Sequence, residues 1–280
     1  MIRLLDNEIA VNALLELYRY SQRKSRRRLF YDEIKKRVEG LPEVQRLFSE
    51  DKVRKHYVYE NVRDTLEHPD VYITQLRFYA LYKYFKKAHP DIFTSETKIL
   101  DAGDTSGILF EAIGKKGVSL NVNQECIDFI NSKGIEAVCG NAEDIKFADR
   151  HFDYTFSFQL LEHTPNPIKV LNELARVTKS KVFVSIPYAP ATNIYAIDYW
   201  VDIKKSSWKE ERVKDVDCHI FEFSTEDFKK ILTHTNLECE DSFYLNYFDN
   251  DSFMGKLLNR VFVSYFNFFV LRPRPKKQIF

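Results

Sequence analysis

The stretch Lys98-Ile-Leu-Asp-Ala-Gly-Asp-Thr-Ser-Gly107 decides the predicted fold of this chain. An apolar run ends at Asp101, breaks into a short turn between Gly103 and Gly107, and passes into a helical pattern. This order of strand, glycine turn and helix is typical of an α/β sheet that holds a nucleotide-like ligand at the carboxyl ends of its strands. The stretch therefore predicts a parallel sheet with a ligand site at this turn.

The chain continues the alternation of strands and helices from about residue 96 onward. We expect strands near 98–102, 117–122, 135–139, 152–158, 181–186, 238–247 and 261–272. We expect helices near 107–114, 124–132, 166–177 and 225–235. Strands that alternate with helices of this length pair in parallel through right-handed crossovers.

Two of the predicted helices carry clear start signals. Asn166-Pro167 combines a capping asparagine with a proline at the first helical position. Ser224-Thr-Glu-Asp227 matches a capping box ahead of an apolar helical face. These signals predict where the third and the fourth helix of the α/β region begin.

The first third of the chain has a different pattern, because apolar residues such as Ile73, Leu76 and Ala80 recur at helical spacing. We therefore divide the chain into a helical extension over residues 1–95 and an α/β domain over residues 96–280. An aromatic-rich insertion over residues 188–217 interrupts the second domain. The extension could be a lid over the ligand site, a contact between copies in a homo-oligomer, or ordinary packing.

Composition excludes several classes of partner. The 280 residues are 44% hydrophobic and 30% charged, which is typical of a soluble globular protein. The net charge of +1 provides no overall field for nucleic acid, so no nucleic-acid partner is expected. The four cysteines are scattered, which favours reduced thiols in the cytoplasm over a disulfide framework or a zinc site.

No segment of the sequence predicts a membrane span or a secretory signal. The chain starts without the basic and then apolar profile of a signal peptide. Its longest apolar stretch, Val261 to Leu271, is shorter than the roughly 20 residues that cross a bilayer. This stretch is better explained as a buried strand than as a membrane-surface element.

The order of these motifs resembles the class I S-adenosylmethionine (SAM) dependent methyltransferases, and within them the ubiquinone and menaquinone type. The resemblance covers residues 97–188 well and 219–272 loosely. Beyond the glycine turn it is carried by Phe152-Asp153, Leu161-Glu162-His163, Pro167, Leu171 to Val177, Ser185 to Tyr188, and His219 to Ser224. It implies a doubly wound, mostly parallel, seven-stranded Rossmann-like sheet with an N-terminal helical extension, and SAM as the cofactor.

The resemblance also implies which residues contact the cofactor. They lie at four strand ends and are Asp101, Gly103, Asp104, Gly107, Asn121, Asn141, Ala142, Glu143 and Phe158. Three positions depart from the family pattern. Thr105 replaces the middle glycine of the turn, where a β-branched residue would disfavour positive φ. Asn121 and Asn141 replace acids.

The change at Asn121 has a predictable cost. An amide oxygen accepts one of the two ribose hydroxyl bonds, but the NH₂ side cannot accept the other, which costs about 1–2 kcal/mol. The sequence alone therefore predicts that Asn121→Asp tightens SAM binding about tenfold. Asn141 can still accept from the adenine amine, so that change costs less.

His163 is the candidate catalytic residue, because it follows the fourth strand and could accept a proton from the acceptor. A structural hydrogen bond within the loop explains His163 at least as well. The insertion, with two tryptophans and several tyrosines, is predicted to roof an acceptor channel near His163 and His219. Cys218 and His219 lack partners at metal-ligand spacing, so no metal site is predicted.

Three functions remain open at this point. The first is a SAM-dependent methyltransferase that modifies oxygen, carbon or nitrogen of a small-molecule or lipid-linked acceptor. The second is a non-catalytic binding or scaffold protein of the same fold, in which side chains such as Thr105 and Asp104 fill the volume of the cofactor. The third is a nicotinamide-dependent oxidoreductase, which the absence of a Gly-x-Gly-x-x-Gly turn disfavours.

Overall fold

The structure, a computed structural model, describes residues 32, 34–56, 68–187, 220–221, 223–244 and 266–274. The predicted insertion 188–217, His219, the first part of the helical extension and residues 261–265 of the predicted last strand lie outside these residues. None of the helices within the described ranges is long and apolar enough to cross a membrane.

Seven strands form one sheet, as the resemblance implies, in the order β3-β2-β1-β4-β5-β7-β6. The strands are β1 Ile99–Ala102, β2 Val118–Asn121, β3 Glu136–Cys139, β4 Phe152–Phe158, β5 Thr178–Pro187, β6 Leu237–Tyr244 and β7 Phe266–Pro273. The first five strands are parallel, whereas β7 is antiparallel to both of its neighbours. The predicted fold class is confirmed.

The helices alternate with the strands as predicted. They are α1 Pro42–Leu47, α2 Glu50–His56, α3 His68–Ala88, α4 Ile108–Ile113, α5 Gln124–Ser132, α6 Pro167–Val177 and α7 Thr225–Thr233. Residues 34–39 are helical as well, and short 3₁₀ turns cover Pro90–Phe93 and Leu161–His163. The described part of the N-terminal extension is therefore helical, in agreement with its apolar periodicity.

Both predicted helix starts are confirmed by their side-chain hydrogen bonds. The Asn166 side chain accepts from the Lys169 N–H at 3.2 Å, ahead of the proline that begins α6. The Ser224 hydroxyl accepts from the Asp227 N–H at 3.1 Å at the start of α7. Each cap satisfies a backbone donor that the first turn of a helix leaves without a partner.

The sheet has a separate hydrophobic core on each face. On one face, α3 of the extension packs Phe85 against β4 and β5, stacked on Phe156 at 5.0 Å and edge-on to Phe183 at 5.0 Å. On the other face, α6 and α7 cover the strands, and Phe228 packs against Phe269 at 4.5 Å. The extension and the sheet therefore share a core through α3.

The direction of the strands determines where a site can form. Because β1 to β5 are parallel, the turns that follow β1, β2, β3 and β4 all lie at one edge of the sheet. Strand β7 runs the other way, and its first residue, Phe266, is opposite Pro187 at the end of β5. This register brings Phe266 to the same edge.

Candidate functional site

The turn after β1 depends on glycine at two positions. Gly103 and Gly107 adopt left-handed φ values of +88° and +69°. A Cβ on Gly103 would lie 3.1 Å from the Leu160 side chain, and one on Gly107 would lie 2.7 Å from Cδ1 of Ile135. Both the backbone conformation and the close neighbours therefore favour glycine.

Thr105 does not strain this turn, contrary to the expectation from the sequence. The residues other than glycine with positive φ in the described chain are Arg150 and Gln159, so Thr105 has an ordinary backbone conformation. Its hydroxyl donates to the backbone oxygen of His56 at 2.8 Å. At the position where the family has glycine, this chain thus has a threonine that bonds to the helical extension.

Asp104 stabilises the turn through hydrogen bonds that its side chain accepts. Its carboxylate accepts from the N–H groups of Ser106 and Gly107 at 2.9 and 2.8 Å, and from the Ser119 hydroxyl at 2.6 Å. Burial raises the pKa of Asp104, while these hydrogen bonds and the charge of Lys133 act in the opposite direction. The side chain of Asp104 therefore ties the start of α4 to β2, and its contact with a cofactor stays a prediction.

Asp101 lies at the buried end of β1 and is electrostatically different from Asp104. Burial, and secondly the nearby carboxylate of Asp104, raise the pKa of Asp101 well above its ordinary value. Among the described residues, no side chain forms an ion pair or hydrogen bond with the Asp101 carboxylate. Two acids in a dry environment favour a cationic ligand, which would relieve the repulsion between them.

Asn121 links the first two strand ends. Its Nδ2 donates to the backbone oxygen of Asp104 at 2.9 Å, and its Oδ1 accepts from the Asn123 N–H at 2.9 Å. A carboxylate at this position could not donate the first bond. The sequence did not predict this structural role, which changes what an aspartate here would do.

The third strand end lies beside the second, as predicted. The Gly140 N–H donates to the Asn121 backbone oxygen at 2.9 Å. The Asn141 side chain accepts from the Glu143 N–H at 2.8 Å, and the Glu143 carboxylate accepts from the Asn166 N–H at 3.2 Å. Ala142 is buried, whereas Asn141 is exposed at the edge where a ligand could reach it.

The turn after β4 contacts the turn after β1 through Leu160, a residue that sequence reasoning missed. The Leu160 side chain lies against Gly103, while the His163 N–H donates to the Leu160 backbone oxygen at 3.0 Å. His163 is half-buried in the 3₁₀ turn at the same edge. Phe158 stacks on Phe156 at 5.5 Å on the α3 face, and its contact with a cofactor stays a prediction.

The chain that follows the insertion returns to this turn. The N–H groups of Ile220 and Phe221 donate to the Glu162 backbone oxygen at 2.7 and 3.1 Å. Ile220 is 55% exposed and Phe221 is 36% exposed, so two apolar side chains face outward next to His163. The chain just after the predicted insertion thus contacts the turn that carries His163, while the roof itself stays a prediction.

His56, the last residue of α2, is the second residue that the sequence did not indicate. Its Nδ1 lies 2.8 Å from the Ser106 hydroxyl and 3.3 Å from the Thr105 hydroxyl, and its ring meets Phe78 edge-on at 5.0 Å. Burial, and secondly the positive charge of Arg77, lower the pKa of His56 to about 3. The neutral ring therefore joins the helical extension to the glycine turn.

Comparison with known proteins agrees with this arrangement. Residues 100–186, from β1 to β5, match the family described as "Methyltransferase domain". A biotin biosynthesis bifunctional protein of Cellvibrio japonicus is 30% identical over 89 residues, which are 30% of this chain and 18% of that protein. The chain thus spans less than a fifth of the length of this curated relative.

Solved structures show the same fold at low sequence identity. A protein from Pyrococcus horikoshii has a TM-score of 0.51 and 16% identity, and the match covers 79% of this chain and 99% of that one. A SAM-dependent methyltransferase of Methanosarcina mazei has a TM-score of 0.50 and 16% identity, with 68% and 99% covered. The resemblance to the class I SAM-dependent methyltransferases is confirmed.

Proposed function

We propose that this class I methyltransferase fold binds SAM and transfers its methyl group to a small-molecule or lipid-linked acceptor. The observation that carries the proposal is the buried Asp101 carboxylate at the end of β1, which no described side chain neutralises. SAM has an α-ammonium and a sulfonium, so it offers the positive charge that this environment favours.

The residues at the four strand ends fit such a cofactor. Asp101 would hold the ammonium, the hydrogen-only Cα of Gly103 would allow close approach of the methionine portion, and Oδ1 of Asn121 would accept from one ribose hydroxyl. Asn141 would accept from the adenine amine. The ribose end is the weaker one, because Oδ1 of Asn121 already accepts from Asn123.

SAM supplies an activated methyl group, so the chain has to align the acceptor and exclude water. Leu160 is an apolar residue of the turn after β4, and its side chain lies against Gly103 of the turn after β1. There it would keep water from the reacting atoms. His163 would accept the proton at a ring nitrogen if the acceptor loses one. Ile220 and Phe221 would form part of an apolar wall for the acceptor.

A non-catalytic scaffold would require a different arrangement of the side chains in the turn after β1. In a scaffold, Asp104 and Thr105 would fill the space of the cofactor, yet Asp104 is bonded to Ser119 and Thr105 to the backbone of His56. These contacts direct both side chains to the protein itself and favour the enzyme.

Cys139 and Cys239 carry free thiols, which supports a reducing compartment such as the cytoplasm.

A ligand panel tests the proposal. We expect SAM and S-adenosylhomocysteine to raise the midpoint of thermal unfolding in a saturable way, whereas NADH should leave it unchanged. The Gly103→Val variant should lose the response to both SAM compounds. A folded wild-type protein that responds to neither compound would refute the enzyme and favour the scaffold.

A further inference from the structure

One buried cation lies at the edge of the site and has no role in the proposed cofactor contacts. Arg77 of α3 is 8% exposed. Its guanidinium carbon lies 4.8 Å from the centre of the Phe78 ring and 4.7 Å from the centre of the Phe266 ring. Within the described chain, Arg77 forms no ion pair with a carboxylate and no side-chain hydrogen bond.

The two aromatic rings stabilise the charge of the Arg77 guanidinium but provide no hydrogen-bond acceptors for its N–H groups. Two aromatic rings attract the positive charge and restrict the orientation of the group. The five N–H donors of an arginine project from the rim of its plane, where ring faces do not accept conventional hydrogen bonds. A cation that is this buried is costly unless an anion pairs with it. Arg77 therefore has the properties of one half of an ion pair.

The position of Arg77 relates it to the acceptor side of the site. Phe266 begins β7 opposite Pro187, at the carboxyl end of β5. On the other side, Phe78 meets the His56 ring at 5.0 Å, and His56 contacts the glycine turn. Arg77 thus lies at the ligand edge of the sheet, between the end of β5 and the turn after β1.

We infer that Arg77 is the anion-recognition residue of the acceptor subsite, and that the acceptor carries a carboxylate or a phosphate group. This inference rests on the proposed function, because it assigns the acceptor of the same site. Both groups match the fork of the guanidinium and can accept two parallel hydrogen bonds from it. The contact with Phe266 places the charge beside the end of β5, which is not one of the four strand ends proposed for the cofactor.

The test compares three variants of the full chain, each saturated with S-adenosylhomocysteine. Arg77→Met keeps an apolar stem and removes the charge, whereas Arg77→Lys keeps the charge and removes the planar fork. Arg46→Met is the control, because the Arg46 side chain is 68% exposed. The probes are inorganic phosphate and sodium acetate, titrated at constant ionic strength and followed by calorimetry and thermal unfolding.

We expect the wild-type protein and Arg46→Met to bind one of the two anions saturably. Arg77→Met should bind that anion at least about tenfold more weakly, and Arg77→Lys should lie between them. The anion that binds more tightly identifies the acceptor group. SAM affinity should stay within about threefold of wild type in all variants, which also verifies that each variant is folded.

Two results would overturn the inference. The first is an anion response that is absent from the wild-type protein or unchanged in Arg77→Met. The second is a loss of SAM affinity in Arg77→Met with unchanged affinity for methylthioadenosine, since that result assigns Arg77 to the carboxylate of the cofactor itself. If the wild-type protein binds the anion through Arg77 but does not bind SAM, the proposed function fails and the anion site remains.

Discussion

The turns after β1 and after β4 touch each other at Gly103 and Leu160, but different kinds of bonds hold them. In the β1 turn, side chains make most of the connections to other elements, since Asp104 bonds to Ser119 and Thr105 bonds to α2, beside one backbone bond from the Gly103 N–H to the Leu120 oxygen. In the β4 turn, backbone groups make most of the connections, because they join the Glu162 carbonyl to residues 220–221 and the Gln159 N–H to the Ser185 oxygen, beside one side-chain bond between Gln159 and Ser185.

This difference separates two requirements on the sequence. Side-chain bonds in the β1 turn require particular residues, because each bond needs a particular donor and acceptor. Backbone bonds at the β4 turn form with almost any side chains, so the side chains of residues 220–221 can vary without loss of these bonds. Under the proposed function, cofactor binding would belong to the first turn and acceptor selection to the second.

The largest effect is expected when the contact between the two turns is broken. Gly103→Val places a β-branched residue at a φ of +88° and within about 3 Å of Leu160, so we expect SAM affinity to fall at least about a hundredfold. Calorimetric titration measures the change. Gly114→Val is the matched control, because Gly114 has a φ of +64° but no neighbour within 4 Å of a Cβ.

The control variant should lose stability through backbone strain and keep its SAM affinity within a few fold. Circular dichroism of both variants verifies the fold. Equal losses of affinity in Gly103→Val and Gly114→Val would show that strain alone matters, and the contact with Leu160 would then have no role in ligand binding.

The second largest effect is expected at Asp101, the buried carboxylate in β1. Asp101→Asn removes a buried carboxylate, so we expect the free energy of unfolding at pH 7 to rise by about 1–2 kcal/mol and SAM affinity to fall about tenfold. Chemical denaturation and calorimetry measure these two quantities. Opposite signs for stability and binding are typical of a ligand site.

The stability difference should depend on pH in a specific direction. The pKa of Asp101 is raised in the folded chain above the ordinary value of 3.8, so folding disfavours the ionised form. The stability of the wild-type protein therefore falls as pH rises from about 4 through the raised pKa, and Asp101→Asn lacks this contribution. A stability difference that stays constant between pH 4 and pH 7 would contradict the assignment.

A smaller effect tests the connection between the helical extension and the first turn. His56→Ala removes the ring whose Nδ1 contacts the hydroxyls of Ser106 and Thr105, and Thr105→Val removes the hydroxyl that contacts that ring and the His56 backbone oxygen. We expect each variant to weaken SAM binding about threefold to fivefold. Because the two residues share a contact, the double variant should lose less than the sum, with a coupling of about 0.5–1 kcal/mol.

The second turn provides a matched control for this cycle. The Thr164 hydroxyl donates to the Leu161 backbone oxygen at 3.0 Å, which is a bond within the β4 turn. Thr164→Val should therefore show no coupling with His56→Ala in the free energy of SAM binding. Additive effects of His56→Ala and Thr105→Val would remove the extension from the cofactor site.

The smallest effect is expected at Asn121, where the structure changes the expectation from the sequence. Asn121→Asp gains a charged acceptor but loses the bond from Nδ2 to the Asp104 backbone oxygen. We expect SAM affinity to change by less than about threefold and the free energy of unfolding to fall by about 1 kcal/mol. A tenfold gain in affinity by calorimetry would show that the ribose contact outweighs the link between the turns.

Most of the fold could be predicted from local patterns. The bounds of β4 and α5 were predicted to the residue, because the alternation of apolar and polar residues in β4 and the helical pattern of α5 are encoded within a few positions of the chain. Strand β5 begins at Thr178, earlier than predicted, because Thr178 pairs with Phe152 ahead of an irregularity in the register of β4 and β5.

The site was less predictable, for a physical reason. The roles of His56 and Leu160 depend on partners that lie far away in sequence. A periodic pattern indicates which face of an element is buried, but it does not identify the residues that this face contacts. The conformation of Thr105 could not be read either, because φ at one residue depends on the whole turn. Predictions about Asn121 failed to include its Nδ2 donor for the same reason.

The most direct test of the central claim is a calorimetric titration of the full chain with SAM, beside the folded Gly103→Val variant. We expect one site per chain, with a dissociation constant in the range of about 1–100 μM for the wild-type protein and no measurable binding in the variant. A folded wild-type protein that releases no heat with SAM, or a variant that binds SAM as tightly as wild type, would contradict the claim that the turn after β1 holds the cofactor.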